Sequence, residues 1–320
     1  MKAEELYVFV PRHNPLYWKT PHDNWEVFAT HMLESGVNLV VIECAPGEEE
    51  FVCTEPPMSH PSHKNRFKHI GVRAKTRGWF KENLINIGIQ RTPEAKYIAW
   101  IDSDVIFRQK NWAERTVQAL QHYDWIQPWS DAYELGPNGE HLQHHSSFGK
   151  QFFTDQPVIP THEKFWSHDG GPYTYPHSGY AHAATRQALD WVGGLFELGA
   201  MGSGDHHMML GLVGGADVSM PGGTSPGYRQ EVKLWESRAL AHINKNIGYL
   251  QGVTLEHLFH GKKIDRAYQP RWVPFVEHQF DPHTDLKRNS FGVLEFATNK
   301  PELRHVFDRY LQARNEDGSL

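Results

Sequence analysis

The stretch Tyr97-Ile-Ala-Trp-Ile-Asp-Ser-Asp104 decides how the rest of this 320-residue chain reads. Five apolar residues without a break have the length and composition of a strand buried on both faces, as strands of parallel sheets are. Two carboxylates, Asp102 and Asp104, follow at once. In an open α/β sheet, ligands bind in the crevice beyond the carboxyl ends of the strands, so acids placed there face a ligand. The same triplet in a surface turn would only be solvated. Acids one residue apart can share a hard divalent cation such as Mn2+ or Mg2+, and that cation can neutralise a departing diphosphate.

Working outward, the pattern around this strand is alternating strand and helix. Leu6 to Val10 is a short apolar run closed by Pro11. Asp23 is placed to cap a helix running to about Ser35, with Gly36 as its stop. Val37 to Ile42 is a second buried strand, and strand–helix–strand order implies parallel pairing. Residues 44 to 78, rich in Pro, Ser, His and Lys, read as one long loop. Trp79 to Gln90 reads as a helix that turns Trp79, Phe80, Leu84 and Ile87 inward. Beyond Asp104 come a helix over Trp112–Tyr123 with an apolar stripe, a strand over Trp125–Gln127, and a polar, turn-rich segment over 130–172 that takes no assignment. A strand-like stretch covers Tyr175–Ala183. A helix over Thr185–Trp191 is broken by Gly193-Gly194. Helices over His206–Val213 and 228–247, a strand over 253–260, and a last helix opened by Pro301 complete the pass, which shows no internal repeat or interdomain linker.

Composition narrows the class. Hydrophobic residues at 39% and charged residues at 22% are ordinary for a water-soluble globular chain. No apolar run reaches membrane-spanning length, and the start MKAEELYVFVPRHNP has no signal-peptide core. Two cysteines, Cys44 and Cys53, are too few for a disulfide framework, which points to a reducing cytoplasm. A net charge of -6 without a Lys/Arg run argues against a protein that holds nucleic acid mainly by a basic surface. The 22 histidines and 12% aromatics suit metal and sugar contacts, although most such rings serve the core or the surface in any fold.

Two further segments carry chemistry. His257 and His260 precede Gly261, Lys262, Lys263 and Arg266; an imidazole can complete a coordination sphere begun by aspartates, and the cations can hold a diphosphate. Gly202-Ser-Gly-Asp205-His206-His207 lets the backbone approach a ligand and puts Asp205 at a helix N-terminus, where it is either a cap or a base toward an attacking hydroxyl. Trp191-Val-Gly-Gly-Leu-Phe-Glu197 lies just before it, and Glu197 is a candidate for an acceptor hydroxyl.

Together, IDSD at 101–104, WVGGLFELGAMGSGDHHM at 191–208 and HLFHGKKIDRAYQPRW at 257–272 resemble the GT-A fold glycosyltransferases, the latter two their galactosyltransferase-type segments. WFKENLINIGI at 79–89 and the terminal ARNEDGS also look like pieces of a glycosyltransferase-like group from bacteria and phages. The order of elements matches over roughly residues 6 to 315. The resemblance implies an α/β, Rossmann-like fold with a central, mostly parallel sheet flanked by helices. It implies one catalytic domain, with a nucleotide-sugar half to about residue 128, an acceptor half over about 129–280 and an extension over 281–320.

The resemblance also implies roles. Asp104 would bind the metal directly, Asp102 the metal or the donor ribose, and His260 would be the third ligand, with His257 in competition. Pro11, Arg12 and Glu43 would lie by the base. Arg73, Asn83, Ser103, Lys262 and Arg266 would meet the rest of a nucleotide-sugar donor, UDP-sugar favoured. Asp205 would be the base of an inverting transfer, with Trp191, Glu197 and His206 toward the acceptor. Many relatives carry Glu-Asp where this chain has Gly204-Asp205, so a retaining mechanism with Asp205 as an acceptor contact stays open. The acceptor implied is a glycan or lipid-linked sugar, or a hydroxymethylated base in phage DNA. Arg66, Lys68, His69, Arg73, Lys75, Arg77 and Lys81 form the most basic stretch; a solvated loop or the donor diphosphate accounts for it better than DNA does. A metal-dependent hydrolase of phosphate esters or nucleotide sugars and a non-catalytic binding module are the competing readings.

Overall fold

A computed structural model of the chain describes residues 2–57, 61–75, 78, 80–161, 166 and 175–318. The strands β1 (Leu6–Arg12), β2 (Asn38–Pro46), β3 (Phe67–Ala74) and β4 (Tyr97–Ile101) pair in parallel, with β4 beside β1, β1 beside β2 and β2 beside β3. After β4 the chain leaves this sheet through β5 (Val105–Phe107) and returns as β6 (Trp125–Gln127). A hairpin of β7 (Asp131–Leu135) and β8 (His141–Ser146) follows. Next, β9 (Ala181–Thr185) inserts antiparallel between β4 and β6, and β10 (Ile247–Tyr249) adds parallel to β6. The result is a seven-stranded sheet in the order β10-β6-β9-β4-β1-β2-β3. A second sheet, β5-β11-β7-β8, forms where β11 (Thr254–His257) pairs antiparallel with β5 and parallel with β7. The pair β12 (Leu286–Arg288) and β13 (Leu294–Phe296) stands apart. This is the expected α/β architecture, a large and mostly parallel sheet flanked by helices.

The apolar runs of the central strands serve two cores. Side chains alternate across a strand, so Phe9, Val40, Ile42, Ile98 and Trp100 pack on one face of the sheet. Leu6, Val8, Val10, Leu39, Val41, Tyr97, Ala99 and Ile101 pack on the other. The helix Lys81–Gln90 covers the first face with Leu84, Ile85, Ile87 and Ile89, and the helix Lys19–Glu34 covers the second with Trp25, Phe28, Ala29, Met32 and Leu33. The helix Pro301–Ala313 puts Leu303, Phe307, Tyr310 and Leu311 into the same core as Phe9. Cys44 and Cys53 are both free and buried. Among the described residues, no helix is long and apolar enough to cross a membrane.

Several elements differ from the sequence reading. The segment 44–78 is not one loop, because Phe67–Ala74 is strand β3. Its pattern was hidden because it is an edge strand, with His69, Gly71 and Arg73 on its half-covered side. The first helix starts at Lys19, four residues before Asp23, and Asp23 lies inside it. Its open N–H groups are met from the far end of the chain, where Asp317 accepts from Lys19 N at 2.9 Å and Thr20 N at 2.7 Å. The helices expected to reach Tyr123 and residue 247 stop at Ala119 and His242, and the segment 130–172 contains β7, β8 and the short helix Phe148–Phe153. Trp79 lies outside the described residues.

Glu43 at the end of β2 pins the covering segment 47–57 to the sheet. Its carboxylate accepts from Val52 N at 2.7 Å and Cys53 N at 3.0 Å and pairs with His69 Nε2 at 2.9 Å. Burial opposes its charge, but these donors outweigh burial and lower its pKa from 4.5. The sign follows: the stabilisation is fully present above pH 4.5 and fades as pH falls through the lower folded-state value. Glu43→Gln should cost about 1–3 kcal/mol at pH 7 and should flatten the acid limb of stability below pH 4.5, as read by urea denaturation across pH.

Candidate functional site

A cavity of about 730 Å³ opens at the carboxyl ends of β1 and β4, where an α/β sheet binds its ligands. Asp104 is among the residues that line it. Asp104 Oδ2 lies 2.9 Å from His260 Nε2 and Oδ1 lies 3.5 Å from His257 Nε2, and ligand atoms of the three side chains lie within 4.8 Å of one another. Asp104 Oδ1 is buried and takes no hydrogen bond among the described residues. A buried carboxylate oxygen left without a donor and faced by two imidazole nitrogens fits a divalent cation. Burial opposes the charge on Asp104, but His257, His260 and Arg266 outweigh it and hold the carboxyl well below its usual range. Burial pushes His257 down to about 3, so its ring is neutral and free to ligate at neutral pH.

The geometry comes from strand pairing. The register β11–β5 sets His257 opposite Val105, the residue after Asp104, and Leu258 N donates to the Asp104 carbonyl at 2.7 Å. His260 is gripped from its other side: Nδ1 lies 2.9 Å from Glu316 Oε2, and Glu316 Oε1 accepts from Arg314 Nε at 2.5 Å. Burial works against the charge on Glu316, yet His260 and Arg314 bring its pKa down to about 2. Arg266 Nη2 donates to His260 Nε2 at 3.0 Å.

Asp102 lies outside this trio. Its Oδ1 pairs with Lys81 Nζ, and its backbone N–H donates to the Tyr180 carbonyl at 2.8 Å, tying β4 to the approach of β9. Burial pushes the Asp102 carboxyl up, and Lys81 pulls it back only in part. Next to Lys81, Glu82 is buried at 4% exposure yet lines the cavity. Burial, against the pull of Lys81, and the nearby Asp205 charge push Glu82 up to about 7.

Asp205 also lines the cavity, near enough for its charge to add to burial in raising the Glu82 and Asp102 carboxyls. The turn that aims it holds Gly202 at φ +94° and Ser203 at φ +70°, a left-handed backbone that a non-glycine residue adopts at a cost. Arg271 Nη2 donates to Ser203 Oγ at 2.7 Å and steadies it. Two glycines leave room for the acids. A methyl group on Gly179 would come within 2.6 Å of Asp205 Oδ2, and one on Gly204 within 2.6 Å of Glu82 Oε1. The rings of Trp18, Tyr175, Tyr268 and Trp272 also line the cavity, flat apolar faces suited to a sugar or base.

The cavity gathers Pro11, Arg12, Asp102, Ser103, Asp104, Asp205, His206, His257, His260 and Arg266 of the sequence-expected residues. It does not gather Glu43, Arg73, Asn83, Trp191, Glu197 or Lys262, which do not line it. Glu43 has the structural bonds given above. Arg73 donates to the carbonyls of Gly47 and Glu49 at 2.9 and 2.7 Å. Asn83 and Asn86 both donate to Glu197 Oε2, at 2.9 and 3.2 Å, and Arg288 pairs with Oε1, so the Glu197 carboxylate is committed to holding the helix Lys81–Gln90. Trp191 stacks on His242. Lys262 is exposed, and its neighbour Lys263 faces inward instead, donating to Glu134 Oε1 at 2.9 Å. The basic stretch over 66–81 is therefore divided: Arg73 is structural, Lys81 lines the cavity, and Arg77 lies outside the described residues. Glu82 and Glu316 escaped the sequence reading, where Lys81 and Lys263 entered only as members of basic stretches able to meet a diphosphate. Only a helical projection of WFKENLINIGI, placing Lys81 and Glu82 in its first turn, offered a signal for Glu82.

No protein-family model matches the chain, and no curated protein does. Among solved structures it is similar to a mannosyltransferase from Pyrobaculum calidifontis in complex with GDP-Man and Mn2+, at 12% identity and a TM-score of 0.43 over 97% of this chain and 70% of that one. It is similar to glucosyl-3-phosphoglycerate synthase from Mycobacterium tuberculosis in complex with Mn2+, UDP and phosphoglyceric acid, at 12% identity and 0.39, over 88% and 80%. It is also similar to the catalytic domain of Drosophila β1,4-galactosyltransferase 7, at 12% identity and 0.35, over 77% of this chain and 65% of that one.

The Glu82 carboxyl should titrate near pH 7, visible as a 13C-carboxyl resonance that moves around neutrality and vanishes in Glu82→Gln. Lys81→Met should move that midpoint upward, because Lys81 lowers it.

Proposed function

We propose that the chain is a metal-dependent glycosyltransferase that moves a sugar from a nucleotide diphosphate donor, a UDP-sugar in the favoured case, to a hydroxyl acceptor. One observation carries the reading: the buried Asp104–His257–His260 trio and the carboxylate of Asp205 open into one cavity at the carboxyl ends of parallel strands. Asp104, His257 and His260 would hold Mn2+ or Mg2+, with Asp102 held behind by Lys81. A bound divalent cation neutralises the diphosphate and makes it a better leaving group. Arg266 and Lys263, which line the same cavity, add positive charge beside it. Asp205 takes the proton of the acceptor hydroxyl as that oxygen bonds to the anomeric carbon. The bond from that carbon to the diphosphate oxygen breaks, and the nucleoside diphosphate leaves with the bonding pair. Glu82, beside Asp205, supplies a second hydrogen-bonding group for an acceptor.

The rings that line the cavity favour a glycan or lipid-linked sugar as acceptor over modified DNA. The chain is read as a cytoplasmic enzyme of one catalytic domain.

The test combines binding and turnover. Thermal unfolding with Mn2+ and UDP-, GDP- or TDP-sugars should rise for at least one donor, and Asp104→Ala should remove that rise. Asp205→Asn should keep the rise and lower the release of nucleoside diphosphate by about 100-fold or more. No shift with any nucleotide diphosphate would overturn the reading. Donor cleavage at full rate in Asp205→Asn would favour a hydrolase instead.

A further inference from the structure

The metal reading leaves one buried contact without a role. His260 Nδ1 lies 2.9 Å from Glu316 Oε2, 56 residues further along the chain and on its last turn. A carboxylate can only accept, so the ring must carry its proton on Nδ1 to make this bond. When the ring is neutral, as ligation requires, its lone pair then lies on Nε2, the nitrogen 2.9 Å from Asp104 Oδ2 and 3.0 Å from Arg266 Nη2. Glu316 is itself fixed, by Arg314 through Oε1 at 2.5 Å, and Arg314 Nη1 donates in turn to Tyr310 at 3.2 Å. The turn has no slack. A methyl group on Gly261 would come within 2.6 Å of the Asn315 carbonyl, and Asp317 is bound to the first turn of the helix Lys19–Glu34.

We propose that Glu316 is a positioning residue of the metal site, fixing the His260 ring in the tautomer and orientation that aim Nε2 at the ion. Hydrogen-bonded carboxylates behind a ligating imidazole raise its basicity and hold its ring, and their loss typically weakens metal affinity about 10- to 100-fold. Glu316 touches neither donor nor acceptor in this scheme and acts only through His260. The inference rests on the metal reading above.

The test uses the full chain and Mn2+ alone, titrated calorimetrically. Glu316→Ala should weaken Mn2+ binding about 10- to 100-fold. Glu316→Gln, whose amide oxygen can accept the same hydrogen bond without a charge, should fall between that variant and the native protein. Asp317→Asn, which loosens the same tail without touching His260, should lower the melting temperature and leave Mn2+ affinity unchanged. With Co2+ in place of Mn2+, the visible absorption should change shape in Glu316→Ala and not in Asp317→Asn, because that band reports the nitrogen ligand rather than the fold. If His260→Ala and Asp104→Ala weaken binding while Glu316→Ala does not, the positioning role is wrong and the metal reading stands. If the native protein takes up no Mn2+, or His260→Ala binds it unchanged, both fall.

Discussion

The pairing of β11 with β5 is the constraint on which the site depends. These two short strands bring the segment after residue 254 back to the end of β4, and the bond from Leu258 N–H to the Asp104 carbonyl locks the join at 2.7 Å. Side chains alternate along a strand, so a slip of one residue would turn His257 away from Asp104. The slip is resisted from both sides, because β11 also pairs with β7, where Leu255 meets Ala132 and both are fully buried. A four-residue strand thus sets where His257 stands against Asp104 through the packing of its apolar neighbours.

The cavity places many charges close together, and several of them are matched. Asp102 has Lys81, Asp104 has two imidazoles and Arg266, and Glu134 has Lys263 and His145. Isolated buried charge is costly, and pairing is what lets it persist. The matches are uneven in a way that separates two regions. Around Asp104, neighbouring cations favour the ionised carboxylate. Around Glu82, burial and a second acid favour the protonated carboxyl. The surroundings of Asp104 therefore keep a carboxylate charged, and those of Glu82 leave a carboxyl that exchanges its proton near neutral pH.

The central sheet was legible because β1, β2 and β4 are buried on both faces and spell continuous apolar runs. Strands rich in polar residues were not: β3, at a sheet edge, alternates with His69 and Arg73, and β7 and β8 carry many polar residues, so none of the three shows the apolar signal. The site divided in the same way. Asp104, Asp205, His257 and His260 sit in compact motifs and come together in the structure. Glu43, Arg73, Asn83 and Glu197 were credible ligand contacts by type and place, but each is taken up by hydrogen bonds to another segment. Such bonds cross between distant parts of the chain, as with Glu197 and Asn83 114 residues apart, and sequence spacing does not reveal them. The choice between Lys262 and Lys263 turned on where a short helical turn begins.

The cap that Asp317 places on the helix Lys19–Glu34 joins residues 298 positions apart. A contact of that span cannot form while a chain is still emerging from the ribosome, since one partner has yet to be made. The central strands can pair earlier, as their partners emerge within the first hundred residues. The cavity, lined in part by Leu311, Arg314 and Glu316, is thus completed only after the strands that carry it can pair. A nascent chain can align its first four strands before the segment that bears Asp317 and Glu316 has been made.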